Sequence, residues 1–262
     1  MKTVIDFQKK KSNQELISVV TCYDYWSAKI ISETEIDAVL VGDSAAMVMH
    51  GFDSTVNAEV EMLLYHVAAV KRGLTGKFLV ADLPFITHRK GINHLMNSID
   101  KFMKAGAQAV KIEGADGQLD TIEFVVKSGV PVMGHLGLTP QSHHQLGGFK
   151  LQGTNNESAK KIIEQAHQLE DVGVFSLVLE MVPSGLAGTI TEELSIPTIG
   201  IGAGSHTDGQ VLVLQDLLGL NKSFEPKFLR KYLNGFDLIK EALDNYDASV
   251  KTRSFPTVKE SY

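Results

Sequence analysis

Short apolar runs recur along the chain and predict buried β-strands. Each run is about four residues long and ends at a turn, which is typical of a strand covered on both faces in a parallel sheet. Pro131 is expected to begin its strand, since proline cannot donate a hydrogen bond inside a ladder. Eight such runs can be counted, at residues 17–20, 38–41, 78–81, 109–112, 130–133, 176–179, 198–201 and 211–214.

Helical periodicity lies between several of these runs. Asn57 and Asn156 are the predicted N-caps of two helices. Residues 202–210 are too few for a crossover helix, so we expect a loop there or a distorted eighth strand. The apolar residues that repeat on one helical face are Val60, Leu63, Leu64, Val67 and Val70 in the first segment and Ile162, Ala166, Leu169 and Val172 in the second.

Alternating strands and helices predict βαβ units and a parallel sheet. Eight units predict closure into a (β/α)8 TIM barrel, and the length of 262 residues fits one such barrel. We therefore assign residues 1–262 to a single barrel domain with a short polar C-terminal tail at 252–262. Residues 136–155 are rich in Gly, Gln and His and predict a functional loop over the active face. Within this loop, His143 and His144 are expected to be solvated.

Four predicted strands end next to a carboxylate, at Asp43, Asp82, Glu113 and Glu180. If the strands form one barrel, these side chains converge on the C-terminal rim, where such barrels keep their chemistry. Hard divalent cations take oxygen ligands, so the pattern predicts a metal-dependent enzyme. The Gly-Asp-Ser sequence at 42–44, taken alone, is also compatible with a plain turn, because these residues dominate turns.

Two further pairs of residues are candidates for chemistry. Lys111 and Glu113 are two apart in a strand and point to the same side, where buried charges need a partner or a metal. The alternative is a structural ion pair. His135 and Glu180 end neighbouring strands, and a carboxylate beside a histidine is a common acid–base arrangement. A structural histidine is the alternative.

A glycine-rich segment at 200–204 invites a comparison with nucleotide-binding loops. Its spacing is not that of G-x-G-x-x-G, and no helix is predicted after it. Close approach to another loop is the preferred interpretation over phosphate binding.

The composition excludes several classes of function. A net charge of −6 argues against a nucleic-acid partner, because phosphates favour a basic surface. Cys22 is the one cysteine, so no internal disulfide can form. The N-terminal residues lack the apolar core of a secretory signal, and no apolar run approaches the ~20 residues of a membrane-spanning helix. We therefore expect a soluble cytoplasmic protein without membrane partners.

Together these motifs resemble the ketopantoate hydroxymethyltransferase family, also called 3-methyl-2-oxobutanoate hydroxymethyltransferases. The resemblance runs in family order from about Val19 to Tyr262, nearly the whole chain, and its blocks are long. The segments that carry it are TCYDYWSAKI, VGDSAAMVMHGFDST, ADLPF, GAQAVKIEG, PVMGHLGLTPQS, GGFKLQG, LVLEMVP, IPTIGIGAGSHTDGQVLVLQDLLGL and SFPTVKESY. The resemblance implies a (β/α)8 barrel that assembles as a homo-oligomer, typically a decamer.

The same resemblance implies an activity and a set of site residues. The substrates are 3-methyl-2-oxobutanoate and 5,10-methylenetetrahydrofolate, the metal is Mg²⁺, and the product is 2-dehydropantoate of pantothenate biosynthesis. Asp43 and Asp82 are implied as metal ligands that also meet the substrate, with Glu113 as a third ligand, direct or through water. Ser44 and Lys111 contact the keto acid. Glu180 is the implied proton acceptor, with His135 beside it.

Two competing hypotheses remain at this point. One is another barrel enzyme acting on a Mg²⁺-bound enolate, such as a phosphoenolpyruvate mutase or an isocitrate-lyase-like protein. Those lyases would carry a catalytic cysteine in a mobile loop, whereas Cys22 lies in the first strand-to-helix turn. The other is a catalytically silent barrel kept as a binding module, which would have lost an acidic ligand; all four carboxylates are present.

Overall fold

The computed structural model describes residues 3–262 and contains a closed parallel barrel in the strand order β1 to β8. The predicted (β/α)8 barrel is therefore confirmed. The strands are β1 Ile17–Thr21, β2 Ala38–Val41, β3 Phe78–Asp82, β4 Ala109–Glu113, β5 Val132–Gly137, β6 Ser176–Glu180, β7 Thr198–Ile201 and β8 Gly209–Leu212. β8 closes the barrel against β1.

Helices connect the strands at all crossovers but one. The loop predicted between β7 and β8 is confirmed, as residues 202–208 form no helix. The helices are α1 Val4–Ser12, α2 Tyr25–Ser32, α3 Ala45–Val48, α4 Val60–Gly73, α5 Ile92–Ala105, α6 Leu119–Lys127, α7 His143–Leu146, α8 Asn156–Asp171, α9 Ser184–Glu193, α10 Leu214–Leu217 and α11 Gly235–Lys251. Short 3-10 turns lie at Thr55–Asn57, Thr87–Arg89, Pro140–Ser142 and Val258–Glu260.

Several predicted boundaries were wrong, most of them by one or two residues. β5 ends four residues later than predicted and begins at Val132, so Pro131 precedes the strand. Asn57 lies in a 3-10 turn, and α4 begins after Glu59. Asn155, not Asn156, caps α8, because its side chain accepts a hydrogen bond from the backbone N–H of Ser158 at 2.9 Å. β8 begins at Gly209 rather than at residue 211, since its backbone pairs with β1 from Ile17 onward.

The chain forms two compact units, Met1–Val213 and Leu214–Tyr262. The first unit contains the eight strands. The second contains α10 and α11, and its residues 252–262 are exposed. Assignment of the whole chain to one domain stays a prediction. Among the helices of residues 3–262, none has the length and apolar character needed to cross a lipid bilayer.

Strand alternation separates the barrel interior from the face that the helices cover. Residues two apart share a face, so the interior-facing set begins at the amino-terminal end with Ile17, Ala38 and Phe78. The next interior layer includes Val80, Ala109 and Val178. Further along the same faces the apolar residues give way to charged ones, so the apolar core supports a polar site at the C-terminal end.

Phe7 of α1 fills the amino-terminal end of the barrel, a contact that the polar N-terminal sequence does not reveal. Its ring lies 5.3 Å from that of Phe78 and 5.2 Å from that of Phe175, both edge-on. Phe7 is fully buried. Ion pairs of Lys10 with Asp37 and of Lys11 with Asp208, each at 2.8 Å, hold α1 in place.

Replacing Phe7 by alanine is expected to lower the free energy of unfolding by about 3–5 kcal/mol, because a buried aromatic side chain is lost and a cavity remains. Urea unfolding followed by circular dichroism measures this change. The control is Ile5→Ala on the same helix, where an exposed side chain should change stability by no more than about 0.5 kcal/mol. Equal effects of the two substitutions would contradict the role of Phe7.

Candidate active site

Lys111 is the centre of a buried charge cluster at the C-terminal end of the barrel. Its Nζ lies 3.1 Å from Asp82 Oδ1, 3.5 Å from Glu113 Oε1 and 3.1 Å from His135 Nδ1. The strand register explains this, since Asp82 pairs with Lys111 and Glu113 with His135 on adjacent strands. Burial alone would lower the pKa of Lys111, but the surrounding carboxylates outweigh it and raise the pKa. The ammonium is therefore charged.

Asp43 joins the cluster from the turn after β2. Its backbone N–H donates to Asp82 Oδ2 at 3.0 Å. Burial, together with repulsion from Asp82 and Glu113, raises the pKa of the Asp43 carboxyl well above its ordinary value. Burial also raises the pKa of Asp82, with Lys111 offsetting part of the effect. The two carboxyl groups thus lie in a setting that favours an added positive charge.

Gln141 is a site residue that the sequence analysis missed. Its side-chain amide donates to Asp43 Oδ2 at 2.8 Å and to the carbonyl oxygen of Leu83 at 2.9 Å. Its backbone N–H donates to Glu113 Oε2 at 3.1 Å. The segment predicted as a loop over the active face therefore does reach the site. The sequence sign that could have indicated Gln141 was its place in PVMGHLGLTPQS, one of the segments that carry the family resemblance.

The pKa of Glu113 shifts in the opposite direction to the pKa values of Asp43 and Asp82. Burial acts to raise the pKa of Glu113, but the Lys111 ammonium and His135 outweigh it, and the pKa is lowered. Glu113 is therefore ionised and held by three partners, Lys111, His135 and Gln141. Lys111 and Glu113 do meet on the interior face, as their spacing predicted; a substrate-binding role for Lys111 stays a prediction.

His135 lies between two carboxylates. Its Nδ1 is 3.3 Å from Glu113 Oε1, and its Nε2 is 3.3 Å from Glu180 Oε2. Burial and the Lys111 ammonium act to lower the pKa of His135, but Glu113 and Glu180 raise it to about 9. A protonated Nδ1 cannot also accept from Lys111, and the raised pKa favours the protonated ring, which forms an ion pair with Glu113. Glu180 is the more accessible partner, with 16% of its side chain exposed.

Ser44 is positioned by a second residue that the sequence analysis missed, Tyr23. The Tyr23 hydroxyl and the Ser44 hydroxyl lie 2.7 Å apart. Burial raises the pKa of Tyr23, so the phenol stays protonated and can donate. A Cβ at Gly42 would lie 2.9 Å from Ser44 Oγ, so any larger residue at this position would displace the Ser44 hydroxyl from its present place.

The backbone around Glu180 is also constrained. Met181 adopts a positive φ of 47°, which is unusual for a residue with a side chain and is commonly stored strain near functional sites. Gly137 has φ of 91°, and a Cβ there would lie 2.2 Å from the carbonyl oxygen of Glu180. The two neighbouring strands therefore approach closely where Glu180 enters the site.

The donor set fits a divalent cation. Three carboxylates, at Asp43, Asp82 and Glu113, face two cationic side chains, at Lys111 and His135. Asp82 Oδ1 and Glu113 Oε1 are buried and make no aligned hydrogen bond to the described residues, although Lys111 is within ionic contact of both. An added cation would balance this excess negative charge.

The geometry favours an open coordination mode over a closed one. Within residues 3–262, no group of three or more His, Cys, Asp or Glu side chains has an arrangement that could by itself hold a metal ion. Mg²⁺ commonly takes one or two carboxylates and completes its shell with waters and substrate oxygens. The adjacent Asp43 and Asp82 carboxylates fit that mode.

Other candidate residues lie outside the cluster. His144 is exposed as expected, whereas His143 is half-buried and stacks on Phe149 with ring centroids 5.4 Å apart. The glycine-rich segment makes the close approach that was preferred, since a Cβ at Gly204 would lie 2.1 Å from Ser184 Oγ. Cys22 is buried, and burial raises the pKa of its thiol. A raised pKa argues against a nucleophilic cysteine.

Barrels of this kind hold their reacting groups where the strands end, and the buried charges found there place the chain among the (β/α)8-barrel enzymes. Sequence comparison narrows this class. Residues 1–258 match the ketopantoate hydroxymethyltransferases, and the chain belongs to that family of transferases.

Relatives named 3-methyl-2-oxobutanoate hydroxymethyltransferase are similar over their full length. The enzyme of Bdellovibrio bacteriovorus is 57% identical over 262 residues, 100% of both chains. That of Coxiella burnetii is 57% identical over 96% of this chain and 95% of its own. That of Legionella pneumophila is 53% identical over 98% of both chains.

Solved structures with low sequence identity share the fold. A phosphonopyruvate hydrolase solved with oxalate and Mg²⁺ has a TM-score of 0.64 at 10% identity, covering 99% of this chain and 93% of its own. A 2,3-dimethylmalate lyase of the PEP mutase/isocitrate lyase superfamily has a TM-score of 0.58 at 13% identity, covering 99% and 91%. At such identities the likeness shows the barrel architecture alone.

Proposed function

We propose that this enzyme transfers a hydroxymethyl group from 5,10-methylenetetrahydrofolate to C3 of 3-methyl-2-oxobutanoate. Water supplies the hydroxyl oxygen, and the products are 2-dehydropantoate and tetrahydrofolate. The observation that carries the proposal is the full-length identity of 57% to a relative of that name. The buried cluster of Asp43, Asp82, Lys111 and Glu113 supports it, because an anionic keto acid needs positive charge at its oxygens.

We propose Mg²⁺ as the metal of this site. Asp43 and Asp82 would hold it, with Glu113 contributing directly or through water. When bound, Mg²⁺ would supply positive charge that makes the C3 proton of the keto acid more acidic. The excess of carboxylates over cationic side chains in the cluster supports this assignment.

The side chains of the site have separate tasks in this proposal. Ser44 and Lys111 bind and orient the keto acid, and the Lys111 ammonium stabilises negative charge on its oxygens. Glu180 accepts the C3 proton on a carboxylate oxygen. His135, at 3.3 Å from Glu180 Oε2, orients that carboxylate and couples it to Glu113. Water adds to the methylene carbon of the donor as the first of its two bonds to nitrogen breaks. C3 then bonds to that carbon as the second carbon–nitrogen bond breaks, and the C3 proton and one proton of the water end on N5 and N10 of tetrahydrofolate.

The test is an NMR assay with the purified enzyme, Mg²⁺, the keto acid and 5,10-methylenetetrahydrofolate. We expect tetrahydrofolate and 2-dehydropantoate to form in equal amounts, and only when both substrates are present. Cleavage of phosphonopyruvate or of a dialkylmalate, with no tetrahydrofolate release, would instead assign the chain to the lyase and mutase chemistry of its structural neighbours. No turnover of either kind would contradict both.

Lys111→Met removes the ammonium and keeps the length of the side chain. We expect weaker keto-acid binding and slower turnover, a loss of roughly 2–5 kcal/mol, because the carboxylates around it and the substrate lose a buried charge partner. Steady-state kinetics and calorimetric binding of the keto acid measure the two losses. The control is Lys104→Met, an exposed lysine on α5. Unchanged kinetics would make Lys111 a structural ion-pair residue.

On the family resemblance we further propose a homo-oligomer, a decamer, in the cytoplasm. Analytical ultracentrifugation of the full chain tests the assembly: a single species of ten chains supports it, and a stable monomer contradicts it.

A further inference from the structure

A cavity of about 660 Å³ adjoins the charge cluster on the side of β4 and β5. Its walls come from the segments that follow β3, β4 and β5 and from α8, and it shares Glu113 and Gln141 with the cluster. Such a volume is typical of pockets for large organic ligands. A five-carbon keto acid would leave most of it empty.

The buried end of the cavity is polar. Glu113, Gln141 and His88 line it, and each is at most 9% exposed. Burial, with repulsion from Arg89, lowers the pKa of His88 to about 4, so the imidazole is neutral and can donate from one nitrogen and accept at the other. His88 Nδ1 is buried without a hydrogen-bond partner among the described residues. An unpaired buried polar atom is costly, and a heterocyclic ligand with N–H and carbonyl groups would pair it.

The walls beyond this end combine apolar side chains with polar ones such as Gln145 and Gln152, and two cations lie at the exposed side. Phe85, Leu136, Leu146 and Ile162 provide surfaces for flat rings. Arg89 and Lys161 lie at the exposed side, where both meet Asp116. The Arg89 guanidinium donates to the Asp116 carbonyl oxygen at 2.7 Å, and Lys161 Nζ lies 2.6 Å from Asp116 Oδ2.

The Lys161 ammonium can readily exchange its contact with Asp116 for one with another carboxylate. The two side chains are 60% and 68% exposed, and such surface pairs contribute little to stability. Gln165 also donates to Asp116 Oδ1 at 2.7 Å, so Asp116 keeps a partner when Lys161 turns to another carboxylate. The open end can therefore accept an anionic group from a ligand.

We propose that this cavity binds the one-carbon donor, with its pterin ring at His88 and Gln141 and its glutamate carboxylates at Arg89 and Lys161. The inference rests on the proposed function. The transferable methylene joins the pterin to the aminobenzoyl ring, so this orientation brings it beside the charge cluster that holds the keto acid. The reverse orientation would place the carboxylates next to Glu113, with which they would repel.

The test combines changes in the enzyme and in the donor. The double variant Arg89→Gln/Lys161→Gln should raise the KM for 5,10-methylenetetrahydrofolate roughly tenfold and leave the KM for the keto acid unchanged. With the amide of 5,10-methylenetetrahydropteroate, which keeps the pterin and the aminobenzoyl group and has no carboxylate, variant and wild type should have equal KM values. The difference should also shrink at high salt, because exposed charges are screened. Lys160→Gln on the same helix, outside the cavity lining, is the matched control.

A second variant tests the cavity itself. Gln165→Trp places an indole in the cavity wall and should raise the KM for both donors, whereas Glu164→Trp, one residue away and outside the lining, should not. Release of tetrahydrofolate by the wild type together with unchanged donor KM values in both cavity variants would overturn the cavity assignment and leave the proposed function standing. Absence of tetrahydrofolate release by the wild type overturns the proposed function first.

Discussion

Asp82→Ala should abolish turnover at saturating Mg²⁺ and leave the barrel folded. Asp82 ends β3 and faces both Asp43 and Lys111, with Oδ2 accepting from the Asp43 backbone at 3.0 Å and Oδ1 at 3.1 Å from Lys111 Nζ. In the proposed metal site, removing it leaves Asp43 without a neighbouring carboxylate as second ligand. Metal charge stabilisation is worth several kcal/mol, so we expect a loss of about 10³-fold or more in kcat/KM.

The measurement pairs kinetics with metal binding and stability. Titration calorimetry with Mg²⁺ should show binding to the wild type and none to Asp82→Ala at the same concentrations, while thermal unfolding remains cooperative. Asp100→Ala, at an exposed carboxylate on α5, is the control and should behave as the wild type. Full activity of Asp82→Ala in the presence of EDTA would show that the site needs neither this carboxylate nor a metal.

The strands and the carboxylate positions could be predicted because each depends on local sequence. A continuous apolar run closed by a turn is compatible with few structures other than a buried strand, and β2 and β7 have the predicted bounds. Once the strands form a barrel, their last residues share one rim. The approach of Asp82, Glu113 and Glu180 to one cluster then follows from strand alternation and register.

The residues that were missed depend on contacts distant in sequence. Gln141 lies in a loop without periodicity, and its bond to Asp43 spans 98 residues. Tyr23 follows β1 and Ser44 follows β2, and the contact is between their side-chain hydroxyls. Nothing in the local pattern around Tyr23 indicates that contact. Phe7 is a single aromatic residue in a polar segment. The positions of these side chains depend on packing within the folded barrel. The alternation of apolar residues and the helix and strand propensities of the sequence do not specify such contacts.

The environment of Cys22 differs from the one expected for the catalytic cysteine of a lyase. Cys22 follows β1 and is buried, with Sγ 3.2 Å from Ser27 Oγ. Its thiol pKa is raised by burial, whereas a nucleophilic cysteine needs exposure and a lowered pKa. The proposed mechanism accordingly assigns proton transfer to Glu180, the more accessible member of the His135–Glu180 pair.

Glu180→Gln should keep the keto acid bound and lower the turnover rate by about 10²–10⁴, the usual range for a lost general base. Glutamine keeps the size and hydrogen bonding of the side chain and cannot accept a proton. Asp43, Asp82 and Lys111, which are proposed to hold the substrate, belong to β3, β4 and the turn after β2. The affinity for the keto acid should therefore be nearly normal without Glu180. Calorimetric binding of the keto acid and steady-state kinetics measure the two quantities separately.

Exchange of the C3 hydrogen into D₂O, followed by NMR in the absence of folate, identifies the step that Glu180 serves. If Glu180 removes the C3 proton, exchange in Glu180→Gln slows as much as turnover does. If exchange matches the wild type while transfer is slow, Glu180 acts in the hydration of the methylene group. Glu193→Gln is the matched control, because Glu193 also pairs with a histidine, His167 at 2.9 Å, at an exposed position, and it should leave both rates unchanged. Wild-type rates of exchange and transfer in Glu180→Gln would show that another group is the base.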